Sequence, residues 1–250
     1  MKDYVIPFLI SLAAGICIFF IERIASLKYT PLEIILFVII IILIGLLGYF
    51  LILQKRYKKF GISDIQKSEV NLNLKKQLGS CESSLFFMGV SARTILTAET
   101  GRVINEAFAK NQQLSLRFLL FDPRETAKGK QRALDETGNE DIWDSWKNII
   151  LSGIKELSVL KQEGRNRKIE VRIYKDFPVF RVLLVDNKII YMNYYGKGFR
   201  PSEMPNLMSK KNKNNFYHAI EKFLECHWNS SEIIIDENTN LVKQLEDEIK

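Results

Sequence analysis

The segment VFRVLLVD, residues 179–186, carries two charged side chains whose types suit anion chemistry. Arg181 has a planar guanidinium whose fork of N–H donors matches the oxygens of a phosphate or a carboxylate. Asp186 follows in the same segment, and a carboxylate close to a guanidinium can orient it by charge-assisted hydrogen bonds. The segment therefore indicates an anion-binding site, unless Arg181 and Asp186 pair with each other or cap turns.

Further polar residues follow predicted strands and complete the candidate pocket. Asp122 and Arg124 come directly after the apolar run 114–121, and open α/β sheets place ligands at such strand ends. Arg93 follows the run 84–90 at a possible helix start, a position that favours anions. The predicted ligand- or partner-binding residues are Arg93, Asp122, Arg124, Arg181, Asp186, Tyr194 and Arg200. Their ligand would be a phosphorylated molecule, for example a nucleotide second messenger.

The sequence offers no recognisable catalytic set. Its two histidines, His218 and His227, both lie in the last predicted helix, and their separation misses the spacing that pairs metal ligands on one helix face. The three cysteines, Cys17, Cys81 and Cys226, also lack metal-ligand spacing. We therefore predict no enzyme activity, no cofactor and no metal site.

The segments around the candidate residues alternate between strand and helix patterns. Short apolar or alternating runs predict strands over 84–90, 114–121 and 168–174, followed by a hairpin that turns at Asp186, Asn187 and Lys188. Apolar residues three and four apart predict helices near 62–80, 94–110, 142–163 and 214–228. The charged run 124–141 is predicted to be a loop, and the tail to add a short strand and a helix. This order predicts an α/β fold with a mixed sheet.

The order of these elements resembles one half of the phospholipase D superfamily fold, over roughly residues 80–230. In that family the signature H-x-K-x4-D occupies a strand, and here it would read VFRVLLVD, with Val179, Arg181 and Asp186 at the three signature positions. The family's histidine attacks phosphorus and forms a covalent intermediate. Valine cannot do this, so the resemblance implies a retained fold in which cleavage has been lost.

Two uncharged apolar runs, residues 4–21 and 34–53, open the chain. Each is close to the roughly 20 residues with which a helix crosses hydrocarbon. A cleavable signal peptide is the alternative for the first run, but Glu22 and Arg23 stand where small cleavage-site residues would be expected. Basic residues follow the second run, so both termini are predicted to be cytoplasmic at the inner membrane. The predicted membrane-interface residues are Lys55, Arg56, Lys58 and Lys59.

The predicted organisation is a transmembrane hairpin (1–54), a juxtamembrane basic segment with a connecting helix (55–82), a phospholipase D-like α/β domain (83–230) and a C-terminal tail (231–250). This plan is similar to that of two-span effectors of bacterial anti-phage systems, such as retrons and cyclic-oligonucleotide systems. The similarity implies a toxic effector that a partner complex holds inactive, and that perturbs the membrane as a homo-oligomer once released. The partner would be a regulatory protein or a ribonucleoprotein, such as a reverse transcriptase with its nucleic acid. The alternatives are a membrane-tethered phosphodiesterase or phospholipase-like enzyme, and a non-catalytic membrane-anchored binding module.

Overall fold

The computed structural model describes residues 15, 18, 30–59, 61–66, 79, 81–91, 98–164, 167–199, 204–211 and 215–249. The chain divides into two compact units, Met1–Lys58 and Lys59–Lys250. Arg93, Arg200 and nearly all of the first apolar run lie outside the described residues, so the predictions made for them stay predictions.

Helix α1 (Pro31–Lys59) accounts for most of the described residues of the first unit. Its exposed large apolar side chains include Leu32, Ile35, Leu36, Ile42, Leu43, Leu46, Phe50 and Ile52. Over the described residues, no helix combines the length and the apolarity that crossing a membrane requires. The predicted hairpin in the membrane therefore stays a prediction. Of the four predicted membrane-interface residues, all in α1, the structure describes the side chain of Lys55, which is exposed.

The second unit is built on a mixed sheet, which confirms the predicted α/β class. Its elements in chain order are β1 (Asp64–Gln66), β2 (Ser84–Gly89), α2 (Ala98–Lys110), β3 (Ser115–Phe121), α3 (Thr126–Thr137), α4 (Ile142–Gln162), β4 (Lys168–Tyr174), β5 (Phe180–Val185), β6 (Ile189–Tyr194), β7 (Asn206–Lys210), α5 (Asn215–Ser230), β8 (Glu232–Ile235) and α6 (Val242–Ile249). The strand order is β1-β7-β6-β5-β2-β3-β4-β8. Strands β2, β3 and β4 are parallel, and the remaining pairs are antiparallel.

The central strands form the core, as their continuous apolar runs predict. Strand β2 lies between β3 and β5, and its residues from Leu85 to Gly89 are all buried. Helix α5 packs on the sheet through aromatic contacts: the ring of Trp228 meets Phe86 at 5.2 Å and that of Phe223 meets Phe180 at 6.0 Å. Burial of this apolar surface is the main force that holds the layers together.

The prediction of a loop over 124–141 is wrong, because helix α3 occupies most of it. Its buried residues are Gly129, Arg132 and Ala133, which give no apolar stripe for sequence reading to detect. A Cβ built on Gly129 would lie 2.3 Å from the ring of Trp143, so the helix rests directly on the indole. Close packing through a glycine is a tertiary effect without a periodic signal.

The sheet reaches beyond the predicted domain limits of 83–230. Residues Asp64–Gln66, which the sequence predicts to be helical, form strand β1 against β7. Strand β7 itself was not predicted, and most of the remaining connecting helix lies outside the described residues. The predicted strand and helix of the tail are β8 and α6, and β8 pairs with β4. Short edge strands carry few residues, so their sequence pattern is weak.

Candidate anion-binding site

The start of β5 and the end of β6 meet where the parallel strands β2, β3 and β4 end. We call this end of the sheet the carboxyl edge. In the antiparallel register, Val182 of β5 lies opposite Met88, near the end of β2. Arg181, one residue earlier, lies opposite Asn193 of β6. Ligands in open α/β sheets bind at the carboxyl ends of parallel strands. Arg181 therefore lies at an edge where a ligand site is expected.

Arg181 is a buried cation held by a neutral partner. The residue is 9% exposed, and its Nη2 donates to Oδ1 of Asn193 at 3.1 Å. The Asn193 amide is fixed in turn, because its Nδ2 donates to the carbonyls of Met204 and Pro205 at 3.3 and 3.2 Å. Burial lowers the pKa of the Arg181 guanidinium, while the nearby Tyr195 and Glu136 act in the opposite direction. Among the described residues, no ion pair involves Arg181, and its hydrogen-bond acceptor is the Asn193 amide oxygen.

A second buried guanidinium, that of Arg132 on α3, belongs to the same edge. It is 2% exposed and lies 4.7 Å above the ring of Tyr195, whose carbonyl accepts from its Nη1 at 3.3 Å. Its Nη2 pairs with Glu136 at 2.8 Å, whereas its buried Nε has no hydrogen-bond partner among the described residues. With Arg181, the cluster holds two guanidinium groups and one carboxylate. The local charge is therefore positive.

Tyr195 connects the two arginines to the end of β2. The residue is 7% exposed, and its hydroxyl accepts a hydrogen bond from the backbone N–H of Val90 at 3.2 Å. Burial raises the pKa of this phenol, and neighbouring Arg181 lowers it in part. Because the oxygen already accepts from Val90, the hydroxyl proton is free to be donated to a ligand.

The cluster can bind an oxyanion, and its described residues include no histidine. Guanidinium and phenol groups supply hydrogen-bond donors suited to phosphate oxygens. Val179 lies at the same edge, where its carbonyl accepts from the Tyr195 amide at 2.8 Å. Of the two histidines, His218 contacts Glu221 at 3.1 Å, and His227 contacts Asp176 at 3.4 Å, in the segment that leads into β5. Over the described residues, no cluster of His, Cys, Asp or Glu side chains is placed to hold a metal ion.

Asp186 lies at the opposite end of β5, about 16 Å from Arg181 at the usual strand rise. Its carboxylate accepts from the amides of Glu82, Ser83 and Ser84 at 3.1, 2.7 and 3.1 Å, and from the Cys81 thiol at 3.3 Å. Burial alone would raise its pKa, but these hydrogen bonds outweigh it and lower the pKa of Asp186 to about 2. The suggestion that Asp186 orients Arg181 is therefore wrong; it fixes the hairpin to the start of β2.

Asp122 and Arg124 lie together, but as an ion-pair group. Arg124 donates from Nη2 to the fully buried Asp122 at 2.9 Å; the same Nη2 meets Glu232 of β8, and Nη1 meets Glu248 of α6, both at 2.5 Å. The hydrogen bond to Asp122 is the largest cause that raises the pKa of Arg124. Because three carboxylates already surround this guanidinium, it is not available for an anionic ligand. Its role in the structure is to join β3 to the C-terminal elements.

Asp122 and Arg124 follow β3 at this same end of the sheet, in their own ion-pair group, and two other predicted residues belong to the site. Arg181 is within it, and Tyr194 is 50% exposed beside it, with its ring 6.0 Å from that of Phe180. Sequence reading missed Asn193 and Arg132. A hairpin pairs residues equally distant from its turn, so a turn centred on residue 187 already places Asn193 opposite Arg181. Arg132 had no comparable signal, because it lies in the unrecognised helix α3.

The sequence matches no protein-family model and no curated protein. Solved structures similar to the chain include the phospholipase D family member Nuc from Salmonella typhimurium, with 12% identity and a TM-score of 0.42 over 68% of this chain and 95% of that one. NucT from Helicobacter pylori has 10% identity and a TM-score of 0.37, covering 67% and 92%. Phosphatidylserine synthase from Haemophilus influenzae has 9% identity and a TM-score of 0.45, covering 73% and 43%.

Proposed function

We propose that this protein is a membrane-tethered regulatory protein whose α/β domain binds a phosphate-type oxyanion through Arg181 without turning it over. The domain is the sensor, and the apolar N-terminal segments are the part that acts on the membrane. Binding would change the activity of those segments through a difference in ligand affinity between two states of the protein.

The observation that carries this proposal is the buried guanidinium of Arg181. A buried charge costs several kcal/mol unless it is paired, so an uncompensated one is a reason to look for a ligand. Arg124 provides the contrast within the same domain, because three carboxylates neutralise it. Arg181 meets one neutral amide oxygen, that of Asn193, and the carbonyls of Met204 and Pro205 hold this amide in place. An incoming oxyanion would supply the missing negative charge.

The absence of turnover is part of the proposal and follows from Val179. If VFRVLLVD is the counterpart of the phospholipase D signature, valine stands where the attacking histidine would be. A saturated side chain can neither form a phosphorus–nitrogen bond nor transfer a proton. His227 cannot take over directly, because its ring lies on α5 against Asp176 and the Phe223 carbonyl.

Membrane attachment is supported by the N-terminal sequence and by α1. Residues 34–53 contain no charged side chain, and the large apolar side chains of α1 are exposed along its length. Four basic residues follow, as expected where a chain leaves lipid on the cytoplasmic side. The membrane would be the inner membrane, with both termini in the cytoplasm.

The body plan extends this proposal to an antiviral effector. A partner complex, either a regulatory protein or a ribonucleoprotein, would hold the protein silent, and its release would allow several copies to assemble. Gly45 and Gly48 of α1 have no atom within 4 Å of an added Cβ, so they offer small surfaces for close approach between helices. Several copies are required, because one pair of apolar helices cannot enclose water.

The direct test measures anion binding by the full chain in mild detergent. Isothermal titration with inorganic pyrophosphate should give saturable binding, and Arg181→Gln should weaken it at least about tenfold, the loss expected for one charge-assisted contact. Arg102→Gln is the matched control, since Arg102 is an exposed arginine on α2 paired with Glu106. Equal binding by the wild type and Arg181→Gln would refute the proposed site.

Turnover and toxicity are tested separately. Purified protein should leave a chromogenic phosphodiester intact; hydrolysis that Arg181→Gln abolishes would instead identify an enzyme. In cells, the full chain should slow growth and depolarise the membrane, and removal of residues 1–60 should abolish both effects. Toxicity that persists without residues 1–60 would contradict the proposal of a membrane effector. Anion binding without toxicity, whichever partner is present, would favour an anchored binding module.

A further inference from the structure

Exposed apolar side chains of the second unit are concentrated around Arg181. In its described part, the exposed large apolar residues are Ile65, Leu134, Val159, Phe177, Val179, Tyr194 and Phe199. Four of these seven lie in the chain segments that flank Arg181 and Tyr195, and we call Phe177, Val179, Tyr194 and Phe199 the apolar rim. Single exposed apolar residues are ordinary, whereas a group beside a binding site marks an interaction surface.

The apolar rim is held on well-connected segments. Val179 is joined to the strand that carries Tyr194 by the hydrogen bond from the Tyr195 amide at 2.8 Å. The Phe199 ring lies 3.5 Å from a Cβ built on Gly196, and the Gly198 amide donates to the Asp135 carbonyl at 2.6 Å. The exposure of the rim is therefore built into the hairpin and its loop.

Charges of both signs lie beside the rim. Lys175 and Lys197 are exposed next to Phe177 and Phe199 in the chain. Two acidic residues lie nearby: Asp176, which is 3.4 Å from His227, and Asp135, whose carbonyl accepts from the Gly198 amide. A surface with exposed aromatic rings, flanking lysines and a buried arginine combines the features that favour an anionic bilayer surface. Aromatic side chains are enriched at headgroup depth, and each basic residue near an anionic surface adds favourable electrostatic energy.

We propose that the apolar rim docks into the headgroup layer of an anionic membrane, so that the phosphate of a lipid headgroup occupies the Arg181 site. This inference rests on the proposed function, because it names the source of the oxyanion and relies on the same N-terminal membrane attachment. The exposed apolar helix α1 on the same chain favours a bilayer over a soluble partner, since it would keep the domain near lipid. Contact between the apolar rim and the headgroup layer would fix the orientation of the α/β domain at the membrane.

Hydrogen exchange on the full chain in nanodiscs tests this docking. Amides of residues 177–199 should exchange roughly fivefold more slowly in discs of phosphatidylcholine with phosphatidylglycerol than in phosphatidylcholine alone. The double variant Phe177→Ser with Phe199→Ser should lose this protection, and so should Arg181→Gln. Val159→Ser is the matched control, because Val159 is an exposed apolar residue on α4 outside the rim, and it should keep the protection.

The outcomes separate this inference from the proposed function. Identical exchange in both discs and in detergent would overturn the docking, and so would protection in detergent that grows with protein concentration, because it would indicate contact between copies. If pyrophosphate still binds to Arg181 in detergent, the proposed function survives either result. Loss of protection in the double variant supports docking only if its tryptophan fluorescence and its pyrophosphate affinity are those of the wild type.

Discussion

Replacing Asp186 with Asn should destabilise the α/β domain by an amount that disappears in acid. The carboxylate receives hydrogen bonds from three consecutive backbone amides, and its pKa falls from 3.8 to about 2 in the folded protein. Each pH unit between folded and unfolded pKa values corresponds to about 1.4 kcal/mol, so the upper limit is about 2.4 kcal/mol. Asp186 is partly exposed, and screening by solvent reduces the expected loss to about 1–1.5 kcal/mol.

The sign follows from the direction of the pKa change. A carboxylate with a depressed folded pKa stabilises the fold at pH values above its unfolded pKa, near 4, and loses this effect as the pH falls through 2. The difference between wild type and Asp186→Asn should therefore be full at pH 7 and close to zero at pH 2. Asn also tolerates the positive φ of 52° at this position, so backbone strain does not confuse the comparison.

The assay is chemical denaturation of the full chain in detergent, followed by the fluorescence of Trp143, Trp146 and Trp228, which all lie in the second unit. Glu156→Gln is the control, because it removes one carboxylate from an exposed position on α4. If Asp186→Asn behaves like this control at pH 7, or if its effect is the same at pH 2 and pH 7, the carboxylate does not anchor the hairpin.

Three further predictions follow from the packing of the domain. Gly129→Ala should lower the free energy of unfolding by about 1–3 kcal/mol in the same assay, because its Cβ would meet the Trp143 ring. An unchanged free energy would show that α3 does not pack against the indole. Arg124→Gln should lower the free energy of unfolding by about 3 kcal/mol, because the buried Asp122 carboxylate would lose its ion-pair partner. Its affinity for pyrophosphate should be unchanged, and weaker binding would show that Arg124 belongs to the anion site. Asn193→Asp should weaken pyrophosphate binding at least about tenfold, because its carboxylate would occupy the guanidinium; unaltered binding would place the anion elsewhere.

The central sheet could be predicted because its strands carry their own signal. Buried strands such as β2 and β3 read as continuous apolar runs, and the structure places them in the middle of the sheet. Helix α3 could not be predicted in this way, because it buries a glycine, an alanine and an arginine in place of an apolar stripe. Strands β1 and β7 depend on each other across a long stretch of chain, and local patterns do not report such pairing.

The candidate site was predictable where strand register determines it. Arg181 was recognised by its side-chain chemistry, and the hairpin register already implies Asn193 as its neighbour. Distance along the chain misled the interpretation of Asp186, since five residues of extended strand separate the two ends by more than a hydrogen bond can bridge. Arg132 shows the other limit, because a polar residue on a polar helix becomes part of the site only through the packing of that helix.

The separation of Arg181 from Asp186 means that the two charged residues of this segment have independent roles. Asp186 acts at one end of β5, where it fixes the hairpin turn to the start of β2, and this contact does not depend on what stands at the other end. Val179 lies at that other end, 37% exposed, where a histidine could be exchanged for valine without opening a cavity in the core. Arg181 is different, because its guanidinium is buried and held by a fixed amide, and a change there would disturb both packing and charge. A substitution at position 179 should therefore cost little stability, whereas one at position 181 should alter both the packing and the candidate anion site.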